Sequence, residues 1–174
     1  MNAVDHRSEI DPLHFRRVMG RFATGVTVIT AEAGGTMRGM TANAFMSGSL
    51  DPPLCIVSVT KRAHMHAHLL AAGRFAVNIL AAGQEELATH FAGRPVPGLD
   101  VPFVRVGGIP TVPDVAAWMT AEVAATHDCG DHTIFIGHIH EMADNDRPPL
   151  LYHAGRYAAL VPIRDGSPAL PEFW

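Results

Sequence analysis

Cysteine is nearly missing from this chain: Cys55 and Cys129 are its only two in 174 residues. Two cysteines exclude a disulfide framework. Their spacing matches no zinc motif, and a reducing compartment is the expectation. Lysine is rarer still, since Lys61 is the one basic residue of 13 that is not arginine. Those 13 basic residues against 17 acidic ones leave a formal charge of −4. No basic stripe marks a nucleic-acid partner. No apolar run reaches the roughly 18 residues of a membrane span. The opening MNAVDHRSEIDP lacks the apolar centre of a signal peptide. A soluble, cytoplasmic protein is expected. No GxGxxG fingerprint and no HExxH pair occur, so neither the Rossmann rule for dinucleotides nor the zincin pattern applies.

What is present can build a core. Hydrophobic residues make up 48% and charged residues 17%, a balance that disfavours disorder. The length favours a single domain over 1–174, with its core at about 13–161. Asp11 and Pro12 read as the cap and first residue of a short amphipathic helix carrying Leu13, Phe15, Val18, Met19 and Phe22. Residues 25–33 are rich in β-branched side chains, and Gly34–Gly35 is a hairpin signal before a return strand at 36–45. Residues 46–53 read as a loop and 54–60 as a central strand. Helices are expected at 63–73 and 83–93, with a strand at 74–80 between them. Residues 94–114 hold five prolines and read as a long irregular stretch of the kind that serves a site. Residues 116–128 fit helix or strand; 131–142 fit a strand; 150–161 fit two strands around a glycine turn. Many short strands with few, short helices point to an antiparallel barrel.

Three stretches could carry chemistry. GMTANAFMSGS (39–49) places Thr41, Asn43, Ser47 and Ser49 at a strand end and its loop, short polar groups suited to the edge of a planar heterocycle. An ordinary polar loop has the same composition. SVTKRAH (58–64) ends a strand with Lys61 and Arg62 and opens a helix, a place for an anion or for a solvated charge pair. THDCGDHTIFIG (126–137) flanks a glycine turn with His127 and His132, which a hairpin would bring to one mouth. There they could dock a nicotinamide. A metal site on His127, Cys129 and His132, an activated Cys129, and a plain polar turn compete with that reading. His64 and His68 stand at i, i+4 on a helix and His138 and His140 at i, i+2 on a strand; either pair could bind metal or simply face solvent.

In order along the chain come GMTAN (39–43), SLDPP (49–53), GDHTIFIG (130–137) and LLYHAGRY (150–157). Together with FRRVMGRFATGVTVITA (15–31) and GRFAVNIL (73–80), they make the chain resemble the short-chain flavin reductases. These are the reductase partners of two-component flavin-dependent monooxygenases. The resemblance spans roughly residues 13–161. It implies a mainly β fold with short helices, an antiparallel Greek-key split β-barrel of the FMN-binding type, paired as a homodimer with flavin near the subunit interface. It implies FMN or FAD as cofactor, NADH or NADPH as hydride donor and a separate oxygenase that receives reduced flavin. It implies no metal.

The same resemblance assigns residues. Thr41, Ala42, Asn43 and Ala44 would meet the isoalloxazine, with Ser47 and Ser49 bordering it. Ser58, Val59 and Thr60 would line it from their strand. Lys61, Arg62 and the amide of Ala63 would hold the phosphate. Phe91, Ala92 and Gly93 would lie near the ribityl or adenylate portion. His127 and His132 would border the nicotinamide and position it, and Tyr152, His153 and Tyr157 would close the pocket. The family often carries a hydroxyl where this chain has Ala44, Ala63 and Met65, so phosphate binding would lean on backbone amides and the two cations. The family position of His138 is more often acidic. The cofactors carry hydride transfer, so no essential nucleophile is expected. A B6-phosphate oxidase on the same barrel would need a further basic phosphate site, which the sequence does not show. A non-enzymatic flavin-binding or electron-carrier protein is the alternative reading.

Overall fold

The computed structural model describes residues 10–161. The readings of the first nine residues and of the extension past residue 161 fall outside them. Helix α1 (Pro12–Met19) starts as the Asp-Pro pair predicts: the Asp11 carboxylate accepts the amides of Leu13 and His14. Its apolar residues Leu13, Phe15, Val18 and Met19 are nevertheless exposed, as is Phe22 beyond it. No helix among the described residues is long and apolar enough to cross a membrane.

A short β1 (Thr24–Gly25) leads into β2 (Thr27–Ala33), and β3 (Thr36–Ala42) returns antiparallel to it. The turn between them has φ of +56° at Gly34 and +74° at Gly35, the primed geometry that only residues without a Cβ adopt freely. Next come β4 (Phe45–Ser49), β5 (Leu54–Thr60), helix α2 (His64–Ala72) and β6 (Arg74–Ile79). Helix α3 (Glu85–Phe91), the small hairpin β7 (Val104–Val106) and β8 (Ile109–Thr111), and the long hairpin β9 (Ala117–Cys129) and β10 (His132–Asp144) follow. Finally β11 (Leu151–His153) and β12 (Arg156–Ala158) pair with β1 in a three-stranded sheet.

The main sheet has seven strands in the order β3-β2-β6-β9-β10-β5-β4, antiparallel at each contact. Its two outermost strands, β3 and β4, are joined by Asn43 and Ala44 alone, yet they share no ladder. The result is a barrel split along one seam. Its interior holds Ile29, Val57, Val59, Phe75, Val77 and Phe135, and α2 plugs one end with Met65 and Leu69. The hydrogen bond between His66 Nε2 and Thr133 Oγ1, at 2.8 Å, ties α2 to β10. A second core of Val26, Val28, Leu80, Leu87, Val115 and Leu150 lies on the other face of β2 and β6. This two-sided burial explains the unbroken apolar runs of those strands.

Three expectations need correction. Residues 46–53 are not wholly loop, because Phe45–Ser49 forms β4 on β5, with a register shift between Ser47 and Ser49. Small polar residues tolerate an edge strand with one face open, and local propensity misses such pairing. Strand β5 is paired on both sides but lies second from the edge, not at the centre. The irregular stretch 94–114 contains the β7–β8 hairpin. The ambiguous stretch 116–128 is strand, since its alternation meets β6 on one side and β10 on the other.

Candidate active site at the barrel seam

Strand β3 is an edge strand, so one row of its backbone groups has no partner strand. Against that edge lies a cavity of about 550 Å³ between the start of α2 and the end of α3. It is lined by residues 37–41 of β3, by Ala63, His64 and Met65, and by Phe91, Ala92 and Gly93. A smaller cavity of about 230 Å³ adjoins it, lined by Val26, Thr41, Ala42, Asn43, Ala92, Tyr152 and Tyr157. Thr41 and Ala92 border both, so the two form one groove along the seam.

Two contacts shape the groove. Thr41 Oγ1 donates to the Ala88 carbonyl at 2.6 Å and fastens β3 to α3. That hydroxyl proton is committed, so Thr41 has only acceptor capacity left for a ligand. The ring of Phe91 covers Gly39 so closely that a Cβ there would lie 2.5 Å from two ring carbons. Phe103 backs the same ring at a centroid distance of 6.1 Å. At the far end Tyr152 and Tyr157 meet edge to face at 5.7 Å.

Of the residues named from sequence, the groove gathers Thr41, Ala42, Asn43, Ala63, Phe91, Ala92, Gly93, Tyr152 and Tyr157. The others lie elsewhere. His153 alternates away from Tyr152 and is exposed. The Ala44 carbonyl accepts the Ser58 amide at 3.0 Å, so it supports the seam through its backbone. Ser47 and Ser49 lie on β4, opposite Cys55 and Leu54. Val59 is 1% exposed and faces the core, so its side chain lies on the opposite face from Ser58 and Thr60.

Ser58, Thr60, His127 and His132 share the outer face of the sheet. The register pairs His132 with Thr60 and Cys129, and Ile134 with Ser58 and His127, so both histidines project to one side, as their spacing around the turn predicts. His132 Nδ1 lies 2.7 Å from Asp131 Oδ1. The imidazole beside it holds the Asp131 carboxyl below the usual carboxylate range. With Nδ1 so engaged, Nε2 is the nitrogen offered outward.

Lys61 and Arg62 do not reach the groove. Lys61 Nζ donates to the Gly130 carbonyl at 2.9 Å and pairs with Asp128 at 3.0 Å, which ties it to the β9–β10 turn. Lys61 and Asp128 lie far apart along the chain, so their pairing is invisible locally; the β5–β10 and β10–β9 ladders bring them together. Among the described residues, no group of three His, Cys, Asp or Glu side chains is placed to hold a metal. Burial pushes the Cys55 thiol up to about 11, which keeps it protonated and inert.

The model of the flavin reductase like domain matches residues 19–161. The chain belongs to the flavin reductase family. An NADH-dependent flavin reductase of a Rhodococcus species is 39% identical over 155 residues, covering 87% of this chain and 88% of its own. The reductase component of 4-hydroxyphenylacetate 3-monooxygenase from Thermus thermophilus is 41% identical over 148 residues, covering 84% and 95%. The solved structure of the flavin reductase PheA2 superimposes with a TM-score of 0.85 at 42% identity, covering 88% of this chain and 100% of that one. The split antiparallel barrel is thus the fold of this flavin reductase, as its motifs imply.

Sequence reasoning missed part of the groove of this flavin reductase. Arg38, Gly39 and Met40 stand inside or beside the GMTAN segment, and His64 and Met65 directly follow Ala63, so chain proximity was an available signal. Val26 reaches the groove only through tertiary packing.

Proposed function

We propose that the protein is an NADH-dependent flavin reductase that takes FMN or FAD at its barrel seam and passes reduced flavin to a separate monooxygenase component. The observation that carries this is the two-compartment groove along the unpaired edge of β3. A planar heterocycle with alternating donors and acceptors fits such an edge: strand backbone offers the matching row, and Gly39 lets the Phe91 ring form a flat wall. Bound flavin supplies a hydride acceptor. The chain's own part is to hold and orient the two nucleotides and to exclude water. Thr41, Asn43 and the seam amides would contact the ring, and Tyr152 and Tyr157 would close the smaller compartment.

A homodimer is part of this reading. The exposed apolar face of α1 and the half-buried Ile56, Ile134 and Ile136 on the outer sheet face are surfaces that a second copy would cover. Pairing would also bring the outer-face set of Ser58, Thr60, His127 and His132 toward a groove that one copy leaves open. A single domain with short terminal extensions and a cytoplasmic setting complete the proposal. The names of the relatives, as an NADH-dependent reductase and a monooxygenase reductase component, support it.

The test is an anaerobic assay of FMN or FAD with NADH or NADPH, followed by loss of flavin absorbance. Bleaching with NADH is expected. A protein that binds flavin yet leaves it oxidised with both nicotinamides is a carrier and not a reductase. Within the reading, His132→Ala should raise the NADH concentration needed for half-maximal reduction up to about tenfold, the weight of one hydrogen bond, and leave flavin affinity alone. Stopped-flow reduction at varied NADH checks this; an unchanged dependence removes His132 from the nicotinamide site.

A further inference from the structure

Lys61 is the single lysine of the chain, and both its backbone and its side chain meet the β9–β10 turn. That turn is Gly130 and Asp131, set between the paired residues Cys129 and His132, with φ of +59° at Gly130. The Lys61 amide donates to the Asp131 carbonyl at 3.0 Å. Its Nζ donates to the Gly130 carbonyl at 2.9 Å and lies 3.0 Å from Asp128 Oδ1. Thr60 Oγ1 adds a longer bond to the Asp131 carbonyl, at 3.4 Å. The turn needs such support. Strand β6 pairs with β9 only as far as Glu122, and β5 pairs with β10 only as far as the Thr60–His132 pair. Lys61 carries the hold of β5 past that last pair to both carbonyls of the turn. It does so away from the histidines. Asp128 is paired with Thr133, which is paired in turn with Val59, and both of these are buried on the barrel side. His127 and His132 project from the opposite, outer face.

We propose that Lys61 is a positioning residue for nicotinamide use: by clamping the Gly130–Asp131 turn it fixes where His132 stands against the nicotinamide. This rests on the flavin-reductase reading above. Lys61 touches neither nucleotide in this role and acts through the turn alone. An unsupported two-stranded ribbon twists and sways, and His132 is the first residue of β10 after the turn. Holding the two turn carbonyls therefore limits where the imidazole can go. An ammonium suits the task, because its donors point in separate directions and can serve a carbonyl and a carboxylate together. A planar guanidinium is shaped instead for two oxygens of one group. The pair with Asp128 is exposed, with side chains 37% and 85% accessible, so its effect is modest. It is also bounded above by the effect of removing His132 itself.

Anaerobic stopped-flow reduction at varied NADH is measured for the full-length parent, Lys61→Met, Lys61→Arg, His132→Ala and the Lys61→Met/His132→Ala double variant. Riboflavin, FMN and FAD are titrated against each by flavin fluorescence. Lys61→Met should raise the NADH concentration for half-maximal reduction roughly two- to fivefold, the range of an exposed ion pair. The limiting rate at saturating NADH and the affinity for all three flavins should stay at the parent's values. Lys61→Arg keeps the charge and should recover part of the loss. Once His132 is gone, Lys61→Met should add little, because the two act through one imidazole. An unchanged NADH dependence in Lys61→Met overturns the proposal, as does a full additional loss in the double variant. Weaker binding of FMN and FAD with riboflavin spared also overturns it, since Lys61 would then be a phosphate ligand. Each of these results leaves the reductase reading standing. A parent that leaves flavin oxidised with both NADH and NADPH overturns that reading and the proposal with it.

Discussion

An Asn78→Leu protein is expected to unfold roughly 6–12 °C below its parent, given about 3 kcal/mol of lost stability and about 2–4 °C per kcal/mol at this chain length. Asn78 is fully buried on β6 between the two cores. Its amide donates to the Val28 carbonyl at 2.8 Å and to Thr30 Oγ1 at 3.0 Å, and its carbonyl accepts the Val112 amide at 2.8 Å. Leucine has the same branching and the same number of heavy atoms, so the change opens little cavity. It orphans a buried N–H, and each such group costs about 1–3 kcal/mol. It also frees the segment that follows β8, which the Val112 bond holds to β6. Calorimetry gives the answer directly. A midpoint within about 2 °C of the parent, under one kcal/mol at this size, would falsify the view that this amide is the polar pin of the core.

The second large effect is on binding. Gly39→Val should weaken flavin binding by roughly tenfold to a hundredfold, about 1.4–2.7 kcal/mol. Even a lone Cβ at position 39 would lie 2.5 Å from the Phe91 ring. The ring cannot simply retreat, because Phe103 stands behind it. It must swing into the cavity, or α3 must lift and break the Thr41–Ala88 bond. Both outcomes narrow or unseat the groove. Overpacking of this kind also costs about 1–3 kcal/mol of stability. Fluorescence titration and thermal unfolding measure the two effects separately. Adding Phe91→Leu should relieve the clash and return part of the stability, a coupling that double-mutant analysis reads. If Gly39→Val binds FMN like its parent, the cavity on β3 is not where flavin sits.

Much of this architecture is written locally in the sequence. The β-branched run at 27–30 and the Gly34–Gly35 turn specify a hairpin by purely local chemistry. Asp11–Pro12 likewise marks a helix start. Pairing-dependent features were not readable. MSGS has no strand propensity of its own and becomes β4 only because β5 offers an edge. Residues 116–128 resolve to strand because neighbours bind both flanks.

The same division runs through the site. GMTAN, residues 91–93 and LLYHAGRY are legible as short segments, and the fold brings them to one groove. The fate of Lys61 is not legible in the sequence, because Asp128 lies far along the chain and meets it only through the β5–β10 and β10–β9 ladders. Arg38, which lines the groove, is illegible for the converse reason: a lone arginine on a strand carries no signal in the sequence until α2 is placed against that strand.

The unzipped margin between β3 and β4 bears on turnover. No cross-strand bonds span it, so prising it apart breaks none, and the rest of the sheet is undisturbed. A guest seated there can be admitted and surrendered at little structural cost. A shuttle that hands its load to another protein on each cycle is well served by such a hinge-free doorway.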